Sequence, residues 1–225
     1  MSQLRTDIRI INVVGIDASG KTTLCQKLLS EFKKDSPDIQ YVHSYHEPFL
    51  LKPLKSLARA TLMRDTDEFV DYTHYRKRKA LVSSKHKLLS RIYSIVWILD
   101  YILQTLYQVS VPKLMGACLI VDRYIYDAVL NASLTAHLSR HTSYQLIDMM
   151  LTIFPKPDLV FLIDLPEEIA FTRKNDIQSV EYLRERRHIY IEMADRYGFI
   201  KLDGQAKPET ILTQARQAVE KKYDC

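Results

Sequence analysis

Residues 15–22 read Gly15-Ile16-Asp17-Ala18-Ser19-Gly20-Lys21-Thr22, a full match to the pattern G-x-x-x-x-G-K-[ST]. The run Ile8 to Val14 before them is apolar and largely β-branched. Thr22 to Lys34 after them carries Leu24, Leu28, Leu29 and Phe32 on one helical face. Strand, loop and helix therefore follow in the order a phosphate cradle requires. In such a loop the backbone N–H groups wrap phosphate oxygens, and the helix N-terminus adds the positive end of its dipole. Lys21 would neutralise the terminal phosphates and the Thr22 hydroxyl would ligate Mg²⁺. Gly15, Asp17, Ala18, Ser19, Gly20 and Thr23 complete the expected nucleotide-binding set.

Downstream, short apolar runs recur between helical stretches: Gln40 to Ser44, Ala117 to Val121, Leu159 to Ile163 and Phe199 to Leu202. With Ile8 to Val14 they predict five strands of a parallel sheet covered by helices on both faces. Helices are expected over Thr22–Lys34, Lys52–Met63, about Thr73–Val109 (long or broken), Tyr126–Ser139, Ser143–Phe154, Pro166–Arg173, Val180–Tyr197 and Pro208–Lys222. Such a sheet binds ligands beyond the carboxyl ends of its strands, so functional residues are sought just after each one.

The 225 residues, 47% hydrophobic, suffice for one sizeable core, and neither a linker nor a repeat divides them. A net charge of +5 suits an anionic small molecule without requiring nucleic acid. The basic run Arg76, Lys77, Arg78 and Lys79 reads first as a solvated helix face. Cys25, Cys118 and Cys225 are odd in number and far apart, which argues against a disulfide framework and fits a reducing cytosol. The first residues reach Arg5, Asp7 and Arg9 without the apolar core of a leader. The greasy stretch Ile92 to Val111 is interrupted by Asp100, Gln104 and Gln108 and ends at Pro112, so a buried helix is expected rather than a membrane span. His137 and His141 have ligand-like spacing, but no further ligand pair completes a site, and no histidine is assigned to a metal.

After the third strand comes Asp122-Arg123-Tyr124. A carboxylate at a strand tip beside a phosphate loop can hold Mg²⁺, and a neighbouring guanidinium can grip phosphate; a structural ion pair is the plainer alternative. After the second strand, Glu47 before Pro48 is either a proton acceptor for a substrate hydroxyl or a turn acid. Asp17, inside the loop, can contact an acceptor hydroxyl. Asp164, followed by Glu167 and Glu168, reads as a helix cap. Arg173, Lys174, Arg184, Arg186 and Arg187 lie on a segment able to close over triphosphate, and Arg173 is preferred as the catalytic one. Asp203-Gly204 forms a turn where backbone can approach a flat base.

These residues together resemble the thymidylate kinases, a family of nucleoside monophosphate kinases, over nearly the whole chain. The resemblance rests on Gly15 to Thr23 with its acid Asp17, on Val121-Asp122-Arg123-Tyr124, on Phe161 to Ala170 followed by Arg173, and on Asp203-Gly204. It implies a single-domain, three-layer P-loop NTPase-type α/β fold with a five-stranded parallel sheet, and a short lid around 173–183. It also implies ATP as phosphoryl donor, Mg²⁺ at Thr22 and Asp122, phosphate binding by Arg123, positioning of the nucleotide acceptor by Asp17, a lid arginine that assists transfer, and a cytoplasmic homodimer. Some members carry the catalytic arginine directly after the loop acid; Ala18 stands there, which moves the expectation to Arg173.

Two departures fall on the acceptor side. Where many members have Arg-Glu-Pro-Gly-Gly, this chain has His46-Glu47-Pro48-Phe49-Leu50. Where they have Asp-Arg or Asn-Arg on the long helix, it has Asp100-Tyr101. Glu47, Asp100 and Tyr101, the last placed to border the base, are therefore candidate acceptor residues with Asp17 and Arg123. Arg64, Arg76, Arg78 and Arg91 are candidate replacements for the phosphate clamp. The expected reaction is phosphorylation of dTMP. The alternatives are a kinase of another acceptor, such as a deoxynucleoside, and a non-catalytic ATP-binding module.

Overall fold

The computed structural model describes residues 8–34, 36–44, 100–136, 138–174, 177 and 179–223. The chain divides into two compact units, one made of Met1–Tyr45 with Tyr107–Cys225 and the other of His46–Leu106. Of the second, residues 100–106 are described, and 100–105 are helical. The expected helix over Lys52–Met63, most of the one over Thr73–Val109, and Glu47, Arg64, Arg76, Arg78 and Arg91 lie outside the described residues.

The first unit is built on β1 (Ile10–Val14), β2 (Ile39–His43), β3 (Cys118–Asp122), β4 (Leu159–Asp164) and β5 (Ile200–Asp203). All pairings are parallel and the order is β2-β3-β1-β4-β5. The strand before the loop is thus central, with Val13 opposite Asp122 of β3 and Val14 opposite Leu162 of β4. All five of its residues are buried, as a strand covered on both faces requires.

Successive strand residues face opposite sides, and the two sides are covered by different helices. On one, Ile11, Val13, Ile120, Phe161 and Ile163 share a core with Leu24, Leu28 and Phe32 of α1 (Lys21–Phe32) and with residues 211, 215 and 219 of the C-terminal helix. Each large side chain so buried contributes about 2 kcal/mol by leaving water. On the chain between β2 and β3, a π-helical turn, Leu106–Ser110, runs into the short α2 (Val111–Leu114). The remaining helices are α3 (Ile125–Ala136), α4 (Arg140–Ile153), α5 (Glu167–Arg173), α6 (Val180–Tyr197) and α7 (Pro208–Tyr223). Ser139 caps α4 and Ser179 caps α6, each accepting a hydrogen bond from the backbone N–H three residues on; α6 stops at Gly198 in the left-handed region.

Candidate active site

Every described strand end except that of β2 leads directly into a residue singled out above, and the sheet order brings these ends together. The loop after β1 cannot be built without its first glycine. Gly15 has φ +146°, and a Cβ there would lie 2.7 Å from the carbonyl oxygen of Ile163 on β4 and 2.9 Å from Ser19 Oγ. The loop is closed on itself by Ser19 N–H, which donates to the Ile16 carbonyl at 3.2 Å, and by Lys21 Nζ, which donates to the same oxygen at 2.6 Å. Ala18 takes a left-handed conformation, φ 62°. Gly20 caps α1, so the N-terminus of that helix opens toward the loop.

Lys21 is buried, and its surroundings hold charges of both signs. Burial, assisted by Arg123, pushes its pKa down to about 8, against the opposing pull of Asp127, Asp17 and Asp122. Burial works to raise the pKa of Asp17, but the charges of Arg123 and then Lys21 outweigh it and hold that carboxyl below its usual value. Asp17 Oδ1 and Arg123 Nη2 form a close ion pair. The second guanidinium nitrogen, Nη1, reaches Asp127 Oδ1 at 3.0 Å. Arg123 itself sits at φ 65°.

Asp122, fully buried at the tip of β3, fits the Mg²⁺ expectation through its two oxygens. Oδ2 accepts from the Thr22 hydroxyl at 2.5 Å and from the Tyr41 hydroxyl at 3.2 Å, and His43 Nδ1 lies 3.3 Å from it. Oδ1 is buried and meets no donor among the described residues. A hard cation that keeps most of its waters needs only such a carboxylate and a hydroxyl from the protein. Tyr41 and His43 on β2 were not expected at the site, since neither stands after a strand.

The arginines of α5 and α6 are sorted by their partners. Arg187 donates to Asp164 Oδ1 at 2.6 Å and to Glu167 Oε2 at 3.0 Å, and Arg184 donates to Glu167 Oε1 at 2.7 Å and Glu168 Oε1 at 3.0 Å. Asp164 is therefore not a cap: Pro166 occupies the N-cap of α5 without a side-chain bond, and Asp164 is drawn to α6 by a guanidinium 23 residues away. Arg173, at the end of α5, donates to the Gly204 carbonyl at 3.4 Å. Gly204 is needed there because a Cβ would lie 2.9 Å from the Asp164 carbonyl oxygen; its own N–H donates to that oxygen at 2.8 Å, and Asp203 Oδ1 accepts from Gln205 N–H. Arg186 lies over the Tyr182 ring at 3.7 Å and donates to Asn131 Oδ1 at 3.0 Å, and its charge reaches Asp17. In the second unit, Asp100 Oδ1 accepts from Gln104 Nε2 at 3.3 Å, and Asp100 and Tyr101 are both buried.

Loop, strand-tip acid, guanidinium and closing turn thus share one edge of the sheet, and a family model described as thymidylate kinase matches residues 13–215, the stretch that contains them all. The chain belongs to the thymidylate kinase family. It is similar to a probable thymidylate kinase of Sulfurisphaera tokodaii, 25% identical over 96% of this chain and 98% of that protein. It is also similar to probable thymidylate kinase 1 of Saccharolobus solfataricus, 27% identical over 95% and 97%. A probable thymidylate kinase of Archaeoglobus fulgidus is 23% identical over 94% of each chain. Thymidylate kinases are nucleotide kinases that use ATP and Mg²⁺, and the five-stranded α/β architecture is that of the family. Among the described residues no helix is long and apolar enough to cross a membrane.

Membership gives the state of Lys21 a measurable consequence. With its pKa near 8, the ligand-free lysine is half protonated at that pH, and a bound polyphosphate favours the charged form. Binding of ATP at pH 8 should therefore take up about half a proton, and less at pH 7, where the lysine is already charged. Calorimetric heats in buffers of different ionisation enthalpy read this directly; heats independent of buffer at pH 8 would contradict it.

Proposed function

We propose that this chain transfers the terminal phosphoryl group of ATP to a nucleoside monophosphate, with dTMP as the acceptor. The observation that carries this reading is the pairing of Asp17 with Arg123 beside Lys21, which joins the donor loop to a guanidinium able to hold phosphate. The names of the relatives support dTMP in particular. In-line transfer asks for positioning and charge neutralisation rather than covalent help.

In this reading the N–H groups of residues 15–20 and Lys21 bind the ATP phosphates, with Thr23 and the Asp203-Gly204 turn completing the nucleotide site. Asp17 orients the acceptor and Arg123 grips the phosphate between donor and acceptor. Thr22 and Asp122 hold Mg²⁺, which neutralises phosphate oxygens when bound. Glu47, Asp100 and Tyr101 are proposed as acceptor residues on the family resemblance. Arg173, which donates to the Gly204 carbonyl, is the preferred catalytic arginine of the lid, and Arg186, whose field reaches Asp17, adds to the charge that steadies transfer. The 225 residues work as a single kinase domain with a short lid around 173–183, as a homodimer in the cytoplasm; light scattering of the purified protein checks the dimer.

Purified protein with magnesium-ATP and a panel of nucleosides and nucleoside monophosphates tests the acceptor. Consumption of dTMP ahead of the others is expected; turnover of nucleosides but not dTMP would replace this reading with the deoxynucleoside one. Among the lid residues, Arg186→Ala should lower kcat by about 10- to 100-fold. Arg184→Ala, which removes the ion pairs to Glu167 and Glu168 of α5, should change kcat less than threefold. Equal losses in the two variants would show that the helix, not the charge of Arg186, is what matters.

A further inference from the structure

We propose that Asp127 and Tyr190 form a positioning pair that fixes the Arg123 guanidinium for phosphoryl transfer. The proposal rests on the kinase reading above and adds two residues to it.

Arg123 has the wrong backbone for its side chain. A non-glycine residue in the left-handed region costs about 1–2 kcal/mol, and such residues persist where their surroundings over-determine them. Here the surroundings are two carboxylates on different elements. Asp17, in the loop, takes Nη2, while Asp127, in the first turn of α3, takes Nη1 at 3.0 Å. Held at both terminal nitrogens, the guanidinium plane has little freedom to turn.

Asp127 is placed for this task rather than for its own solvation. It is 3% exposed, and Oδ1 receives both Arg123 and the hydroxyl of Tyr190, which donates at 2.5 Å from α6. Its other oxygen, Oδ2, is buried and meets no donor among the described residues. A carboxylate so buried needs its cation, and a cation so buried needs its carboxylate, so loss of one partner strands the other. Tyr190, 2% exposed, makes the contact that orients Oδ1. Because Tyr190 belongs to the same helix as Arg184, Arg186 and Arg187, the pair ties Arg123 to the element that carries the lid arginines.

The decisive variants are Tyr190→Phe, which removes one hydroxyl, and Asp127→Asn, which keeps the shape and removes the charge. Each is made in the parent chain and in an Arg123→Lys background. With magnesium-ATP and dTMP, or whichever acceptor the parent turns over, Tyr190→Phe should lower kcat about tenfold and Asp127→Asn up to about a hundredfold. KM for ATP should stay within about twofold and melting temperatures should be recorded alongside. In the Arg123→Lys background both losses should shrink to less than threefold, since the group they position is gone. A Tyr190→Phe enzyme with parental kcat, or a loss of equal size in both backgrounds, overturns the proposal, and this holds even where Asp127→Asn does not fold. A parent chain that turns over no acceptor overturns the kinase reading and the proposal with it.

Discussion

Replacement of Lys21 by Met should lower turnover by about a thousandfold or more while leaving the ligand-free protein at least as stable as the parent. The two halves of this expectation have one cause. Lys21 is 5% exposed, and its ammonium group donates to the Ile16 carbonyl inside the loop, which places its charge at the proposed phosphate site. A single neutral donor of this kind is worth about 10²- to 10³-fold in rate, and a charged one more. In the ligand-free fold the same burial is unfavourable. A pKa lowered from 10.5 to about 8 means that the charged form is disfavoured by about 3 kcal/mol relative to the unfolded chain. The sign follows from proton counts. Below pH 8 both states are protonated and the folded one carries the full penalty; between pH 8 and 10.5 the unfolded state binds more protons, so stability rises with pH. Methionine removes the penalty at neutral pH, and the Ile16 carbonyl keeps the Ser19 N–H as donor. Steady-state kinetics and thermal melts at pH 7 check both halves. A variant within tenfold of the parent rate would remove Lys21 from the chemistry.

Substitution of Gly15 by Ala should weaken magnesium-ATP binding by on the order of a hundredfold and destabilise the fold by about 2–4 kcal/mol. Two penalties coincide at this position: a φ of +146° and a Cβ 2.7 Å from the Ile163 carbonyl oxygen. That oxygen belongs to β4, which pairs directly with β1, so it cannot swing away as a flexible side chain would. The loop must move instead, and its N–H groups move with it. Gly198→Ala is the matched control. Gly198 also has positive φ, 70°, but a Cβ there would meet nothing within 4 Å, so only about 1 kcal/mol is expected and nucleotide affinity should be unchanged. Calorimetry and denaturant melts of the pair separate the two effects. Equal behaviour of the two alanine variants would show that the Ile163 contact is immaterial.

The architecture was legible because parallel strands buried on both faces leave unbroken apolar runs. Ile10–Val14 and Leu159–Asp164 stand within two residues of the spans read from the sequence alone. The loop was legible because it is local. Asp122 and Arg123 were reached through the rule that sites follow strand ends. What escaped depends on contacts between distant segments. Asp127 has a faint local signal, four residues after Arg123 on one helix face, but Tyr190 stands 63 residues further on with nothing nearby to mark it. Tyr41 and His43 lie within an edge strand, and only the pairing of β2 with β3 carries them to Asp122. Asp164 shows the converse error. Its place before α5 suits a cap, yet the guanidinium of Arg187 satisfies it across the fold.

Arg184 and Arg187 also set how the first turns of α6 respond to their medium. Their forks onto Asp164, Glu167 and Glu168 are partly open to water, with Arg184 55% and Arg187 29% exposed. Dissolved ions screen such pairs, the screening length shrinking from about 10 Å at 0.1 M to about 3 Å at 1 M. Brine should therefore loosen this corner while the buried grip of Asp127 on Arg123 holds, so a halophilic relative would have to fasten the same corner with something other than charge.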